Sequence, residues 1–147
     1  YLAAPEWIAK ACNKVQGQIT SGTNAIAQRA AIAALKAPKS DIQYMIDEFK
    51  KRRNLVLSLL SEVEGLKVNV PEGAFYVFPD VSSFFGKTLR GRTIGNASDF
   101  SLYLLEEAMV ATVTGEAFGD ANCIRISYAA SEKELREAIR RIKESLA

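Results

Sequence analysis

One cation stands where a charge is costly. In the run Cys123-Ile124-Arg125-Ile126-Ser127-Tyr128-Ala129, β-branched and aromatic residues alternate with small or polar ones, the pattern of a strand. Successive side chains of a strand point to opposite faces. Ile124, Ile126 and Tyr128 therefore share one face, which reads as core, and Cys123, Arg125, Ser127 and Ala129 share the other. Arg125 is thus expected mid-strand among small neighbours, with room around it and no bulky cover. A desolvated guanidinium needs an anion, and its planar fork matches a carboxylate held by two parallel hydrogen bonds. Two readings fit this strand alone: Arg125 grips the carboxylate of a small molecule, or it is a solvated arginine on the wet face of an antiparallel sheet.

Other chemistry is limited by what the chain contains. It has no histidine, which excludes histidine-based triads and most zinc sites. Its two cysteines, Cys12 and Cys123, are too few for a disulfide scaffold and read as free thiols in a reducing, cytoplasmic setting. The lysines, among them Lys10, Lys14, Lys50 and Lys143, fall on polar helix faces and lack the surroundings that activate a nucleophilic amine. With 19 basic and 17 acidic residues, the net charge of +2 gives no electrostatic case for nucleic acid. The basic run Lys50-Lys51-Arg52-Arg53 reads as a solvated helix face. No apolar run is long enough to span a bilayer.

Length and composition, 147 residues with 48% hydrophobic and 24% charged, suit a globular domain. A helix is predicted over about Pro5–Gln16, with Gly17 ending it and a polar loop over 18–24. An alanine-rich helix follows from about Asn24 to Lys36. Its small residues suit close packing, but they lack the bulk to build a core alone. Lys36-Ala37-Pro38-Lys39-Ser40 is a candidate hinge. A long amphipathic helix is expected from about Asp41 to Glu64, with Ser40 as N-cap and Gly65 as its C′ residue. Leu66–Val70 and Ala74–Phe78 read as a hairpin joined by Pro71-Glu72-Gly73. Residues 82–97 read as a surface loop, and Asn96 or Ser98 caps a helix to about Ala108. Val110–Thr114 reads as a strand, Gly115–Gly119 as a turn, and Ser131-Glu132-Lys133-Glu134 as a capping box opening the last helix. The order from residue 41 predicts an α+β layer of helices over a small antiparallel or mixed sheet. Residues 1–38 do not fit that unit, and Tyr1-Leu2-Ala3-Ala4 reads as the end of a strand that begins outside the chain.

Three segments in register carry a resemblance: residues 71–78 (PEGAFYVF), 110–119 (VATVTGEAFG) and 123–129 (CIRISYA). In this order the chain resembles the C-terminal part of the fold-type I, pyridoxal-phosphate-dependent class I/II aminotransferases, most of all the prokaryotic aspartate aminotransferase subgroup. The resemblance covers essentially the whole chain. It implies that residues 1–38 are the end of the large cofactor-binding domain, a strand stub and two helices, and that 39–147 form the C-terminal small domain.

The resemblance further implies a role for single residues. Arg125 matches the arginine that pairs with the substrate α-carboxylate, the same role its strand suggested. Gly73, Ala74, Phe75 and Tyr76 match a stretch bordering the substrate pocket, with one of Phe75 and Tyr76 expected in the core by alternation. Gly115 and Gly119 match a turn passing close to the active site, where Thr114 replaces a frequent proline. Ser21, Gly22, Thr23 and Asn24 match a loop near a dimer interface and are assigned a structural role. Arg125, Phe75, Tyr76 and Gly115 are therefore the expected substrate-binding residues, with no catalytic, cofactor-binding or metal residue. The Schiff-base lysine falls upstream of Tyr1, so pyridoxal 5′-phosphate is expected in the full-length enzyme and not on this chain, which is expected to be inactive alone. The implied partners are an amino acid and a 2-oxo acid (L-aspartate and 2-oxoglutarate), the large domain and a second copy in a homodimer, with no nucleic acid or membrane. An aminotransferase for aromatic or other amino acids, and a stand-alone carboxylate-binding module, are the alternatives.

Overall fold

The computed structural model describes residues 2–147. The chain divides into two compact units, the first reaching Ile42 and the second spanning Gln43–Ala147. In the first unit, α1 (Glu6–Ile19) and α2 (Ala25–Lys36) follow one another. Pro5 precedes α1, and the Asn24 side chain caps α2 by accepting from the N–H groups of Ile26 and Ala27. Neither helix buries a residue, and Trp7, Ile19, Ile26 and Leu35 are all more than two-thirds exposed. α1 runs through Gly17 rather than ending there. A helical glycine costs about 1 kcal/mol against alanine, a preference that hydrogen bonding on either side can override. The turn comes at Ser21 and Gly22, both with positive φ.

The second unit is α+β, as the sequence suggests. α3 (Ser40–Leu60), whose start lies in the first unit, sends Val56 and Leu60 into the core, with Phe49 and Leu57 packed beside them. It begins with Ser40 as a helical residue and ends four residues short of the expected Glu64. α4 (Ala97–Glu107) buries Ala97, Phe100, Tyr103 and Leu104, with Asn96 as its N-cap. α5 (Glu132–Leu146) opens on the expected capping box, in which Ser131 and Glu134 satisfy each other's backbone N–H. Its Leu135, Ile139 and Ile142 stripe is buried. Phe84 stacks on Phe100 with ring centroids 4.9 Å apart, and the Tyr103 hydroxyl donates to the Ser145 carbonyl, tying α4 to α5.

The sheet has three short antiparallel strands in the order β1 (Tyr76–Val77), β5 (Ile124–Ser127), β4 (Val113–Thr114). Val77 lies opposite Ile126, and both are buried on the face toward the core. Tyr76 pairs with Ser127, and Val113 with Arg125, on the other face. This two-faced alternation is the physical reason that a charged side chain can occupy a central strand.

Four expectations for this unit are corrected. The hairpin of 66–70 with 74–78 does not form. Lys67 makes a single bridge to Asp80, and β1 pairs with β5 instead. Residues 82–97 are not a plain surface loop: they form a 3₁₀ turn (Ser82–Phe84) and a small hairpin, β2 (Thr88–Leu89) with β3 (Arg92–Thr93). Arg90 and Gly91, at φ 47° and 85°, close that hairpin in the two-residue geometry favoured by strand twist, and Ile94 beyond it is fully buried. Only Val113 and Thr114 of the expected 110–114 strand pair with a neighbour. Finally, Cys123 is buried rather than on the open face with Arg125. It precedes the first residue of β5, so the alternation does not extend to it. Among the described residues, no helix is long and apolar enough to cross a membrane.

Candidate functional site

Arg125 lies at the centre of β5, between β4 and β1. Its side chain is half-buried on the face away from the core. Among the described residues it forms no ion pair: the nine pairs there involve other arginines and lysines. Two aromatic rings take that place. The guanidinium carbon sits 4.2 Å from the centroid of Phe118 and 5.3 Å from that of Tyr76. Phe78 meets Phe118 edge to face, with centroids 6.4 Å apart. The expectation of a cation without bulky cover is therefore corrected: rings flank it, from a strand on one side and a turn on the other.

The site residues expected from the sequence separate in the structure. Tyr76 joins Arg125. Phe75 does not: its ring packs against Phe49 and against the edge of Tyr76. The Phe75 carbonyl accepts the Tyr128 N–H at 2.8 Å, which fastens the chain entering β1 to the end of β5. Neither Phe75 nor Tyr76 is core, since Phe75 is 50% and Tyr76 37% exposed. The buried residue of this stretch is Val77. Ala74, with φ 61°, presents its carbonyl to the Tyr128 hydroxyl at 3.0 Å.

Gly115 contributes backbone rather than a side chain. A Cβ built there would lie 2.3 Å from the Asp120 carbonyl oxygen and 2.4 Å from that of Cys123. Its N–H donates to Cys123 at 2.7 Å, and its carbonyl accepts from Phe118 at 2.8 Å. Glycine at this position lets the 3₁₀ turn Glu116–Phe118 fold back onto the start of β5, which brings Phe118 over Arg125. Thr114 receives a hydrogen bond from the Ser98 hydroxyl at 3.2 Å, so the turn entrance is tied to α4. Ser21–Asn24 belong to the first unit, where Asn24 caps α2.

Phe118 and Phe78 are the residues that sequence reasoning missed. Both lie inside the quoted motifs, but Phe118 comes from a turn. Phe78 continues the Tyr76 alternation, a usable signal only once β1 is paired with β5.

The charged side chains elsewhere do not make a nucleophile or a metal site. Every lysine is exposed, and Lys51, hydrogen-bonded to Glu132, has its pKa raised, the opposite of what an activated amine requires. The Cys123 thiol is pushed up to about 11, mainly by burial and next by Asp120, so it is protonated and inert at neutral pH. Among the described residues, no group of three or more potential ligands could hold a metal ion.

Fold and motifs match known proteins over the whole chain. The model of the family "Aminotransferase class I and II" matches residues 1–142. The chain is 45% identical to a bifunctional aspartate aminotransferase and glutamate/aspartate-prephenate aminotransferase of Petunia hybrida, over 99% of this chain and 31% of that protein. Among solved structures, the aspartate aminotransferase of Rhizobium meliloti superposes with a TM-score of 0.91 at 42% identity, over 98% of this chain and 36% of that one. An aromatic aminotransferase from Pyrococcus horikoshii superposes with a TM-score of 0.82 at 37% identity, over 98% of this chain and 37% of that one. The chain belongs to the class I and II aminotransferase family. It spans about a third of the length of these relatives.

Proposed function

We propose that this chain supplies the substrate-carboxylate arginine of an aminotransferase acting on aspartate and 2-oxoglutarate. Residues 39–147 serve as its small domain and 1–38 as part of the large one. One observation carries the proposal: Arg125 is a half-buried guanidinium in a central strand, with aromatic cover and no acidic partner among the described residues. A cation left without its anion in such a place is stabilised when an anion arrives. The planar fork then fixes that anion in direction as well as position. The names of the relatives, an aspartate aminotransferase and two that name both aspartate and prephenate, support an amino acid and an oxo acid as the ligand class.

Pyridoxal phosphate, the cofactor of this family, supplies an electron sink at the substrate Cα when it is bound. The residues of this chain do not fit its covalent anchorage, since every lysine is exposed, and anchoring is assigned to the rest of the enzyme. Arg125 contributes orientation. By holding the α-carboxylate in two parallel hydrogen bonds, it fixes the carboxylate plane and the axis that leads to Cα, so that one further anchor on the substrate suffices to set the direction of Cα–H. That is catalysis by positioning. The exposed apolar side chains of α1 and α2 support a further part of the proposal, that the first unit packs against the large domain or a second copy of the chain.

The test is Arg125→Ala in the complete enzyme. Affinity for amino acid and oxo acid is expected to fall by about 2–5 kcal/mol, the usual cost of truncating one side of a buried charge pair. Unchanged steady-state kinetics overturn the assignment. The alternative of a stand-alone carboxylate sensor is tested by titrating the 147-residue chain with aspartate: saturable binding at millimolar concentration or below favours the sensor.

A further inference from the structure

We infer that Phe118 is a positioning residue for Arg125: it orders the guanidinium from above while leaving the whole hydrogen-bonding edge free for an incoming carboxylate. The inference rests on the reading of Arg125 as the carboxylate arginine and deepens it. An arginine side chain has high rotamer freedom, and a site that must bind a carboxylate in one orientation needs that freedom removed beforehand. An acidic neighbour could do this, but it would occupy the same N–H donors that the ligand needs. It would also have to be displaced at each binding event.

The structure uses rings instead. A ring attracts the cation through its face. The five N–H donors of guanidinium lie in its plane and point outward, so a ring lying against the guanidinium face would leave the donors unused. Phe118 holds the closer position, 4.2 Å from the guanidinium carbon, and Tyr76 sits at 5.3 Å. The shelf is itself held in place. Phe78 meets the Phe118 ring edge to face, and the Phe118 N–H is fixed on Gly115. Phe118 remains 48% exposed.

The experiment compares the complete enzyme with its Phe118→Leu, Phe118→Trp and Arg125→Ala variants. Equilibrium affinity is measured for aspartate and for the corresponding amine that lacks the α-carboxylate. Phe118→Leu is expected to weaken aspartate by about 5- to 30-fold, the range for losing one cation–π contact, and to leave the amine unchanged. Phe118→Trp is expected to restore aspartate affinity, because indole is the better partner for a cation. Equal weakening of both ligands, or no recovery with tryptophan, identifies plain packing and overturns the inference. If Arg125→Ala lowers aspartate affinity and Phe118→Leu does not, the shelf is refuted while the carboxylate arginine stands. If Arg125→Ala has no effect, the underlying reading fails. A second readout needs no ligand: in the complete enzyme, the Arg125 Nε–H proton resonance should be displaced upfield by the Phe118 ring current. It should return toward the free-arginine position in Phe118→Leu. An Arg125 resonance that does not move contradicts the stacking.

Discussion

Replacing Gly115 by alanine adds a single methyl group at a point where two strands of backbone already meet. The new Cβ would lie 2.3 Å from the Asp120 carbonyl oxygen and 2.4 Å from that of Cys123, against a limit of 3.0 Å for real contacts. Both obstacles are backbone, so no side-chain rotation relieves them, and the chain must shift by about 0.7 Å. Overpacking of this kind costs about 1–3 kcal/mol. Weakening the 2.7 Å hydrogen bond from Gly115 to Cys123 adds about 1 kcal/mol. A loss of roughly 2–4 kcal/mol is expected, read as a lower urea midpoint in far-UV circular dichroism of the 147-residue chain. Gly119→Ala is the control. There φ is +91° but nothing lies within 4 Å of the new atom, so only backbone strain remains, about 1–2 kcal/mol. Gly115→Ala should also disturb function in the complete enzyme, because Cys123 immediately precedes β5, two residues before Arg125. Gly115→Ala within about 0.5 kcal/mol of the parent, or less harmful than Gly119→Ala, would refute the steric reasoning.

Three further outcomes follow from the second unit. Ser131→Ala removes the hydroxyl that accepts from the Glu134 N–H and donates to its carboxylate, and should cost about 1 kcal/mol in the same unfolding measurement. Phe100→Ala empties a fully buried position stacked on Phe84 and should cost about 3–5 kcal/mol. Cys123 has a thiol pKa near 11 in the folded protein against about 9 ordinarily. The folded state thus favours the protonated thiol, and the stability this provides is complete below about pH 9 and lost as pH rises toward 11. Burial raises the Tyr128 hydroxyl in the same sense. Alkylation at pH 8 followed by mass spectrometry should label exposed Cys12 quickly and Cys123 only on unfolding.

What could be read from the sequence was local. The apolar stripe of α5, its capping box and the Asn96 cap depend on residues within one or two turns of each other, and each is present. The alternation that separates Arg125 from Ile124, Ile126 and Tyr128 depends on one strand and also holds. Pairing was not legible. A proline-glycine connection suggested that 66–70 and 74–78 pair locally, yet β1 joins a strand 50 residues away, because Val77 and Ile126 bury each other there. The β2–β3 hairpin escaped notice since Arg90 holds a positive φ that asparagine or glycine more commonly signals. Arg125 was therefore visible while its cover was not: Tyr76 arrives through the unexpected pairing, and Phe118 through the fold-back at Gly115.

The central claim is that the Arg125 guanidinium receives the α-carboxylate of the substrate. A crystal structure of the complete enzyme with a bound substrate analogue tests it most directly. The account predicts both carboxylate oxygens about 2.7–2.9 Å from two Arg125 nitrogens, with the Phe118 and Tyr76 rings still beside the guanidinium. A carboxylate held by other groups, with Arg125 turned away into solvent, would contradict it.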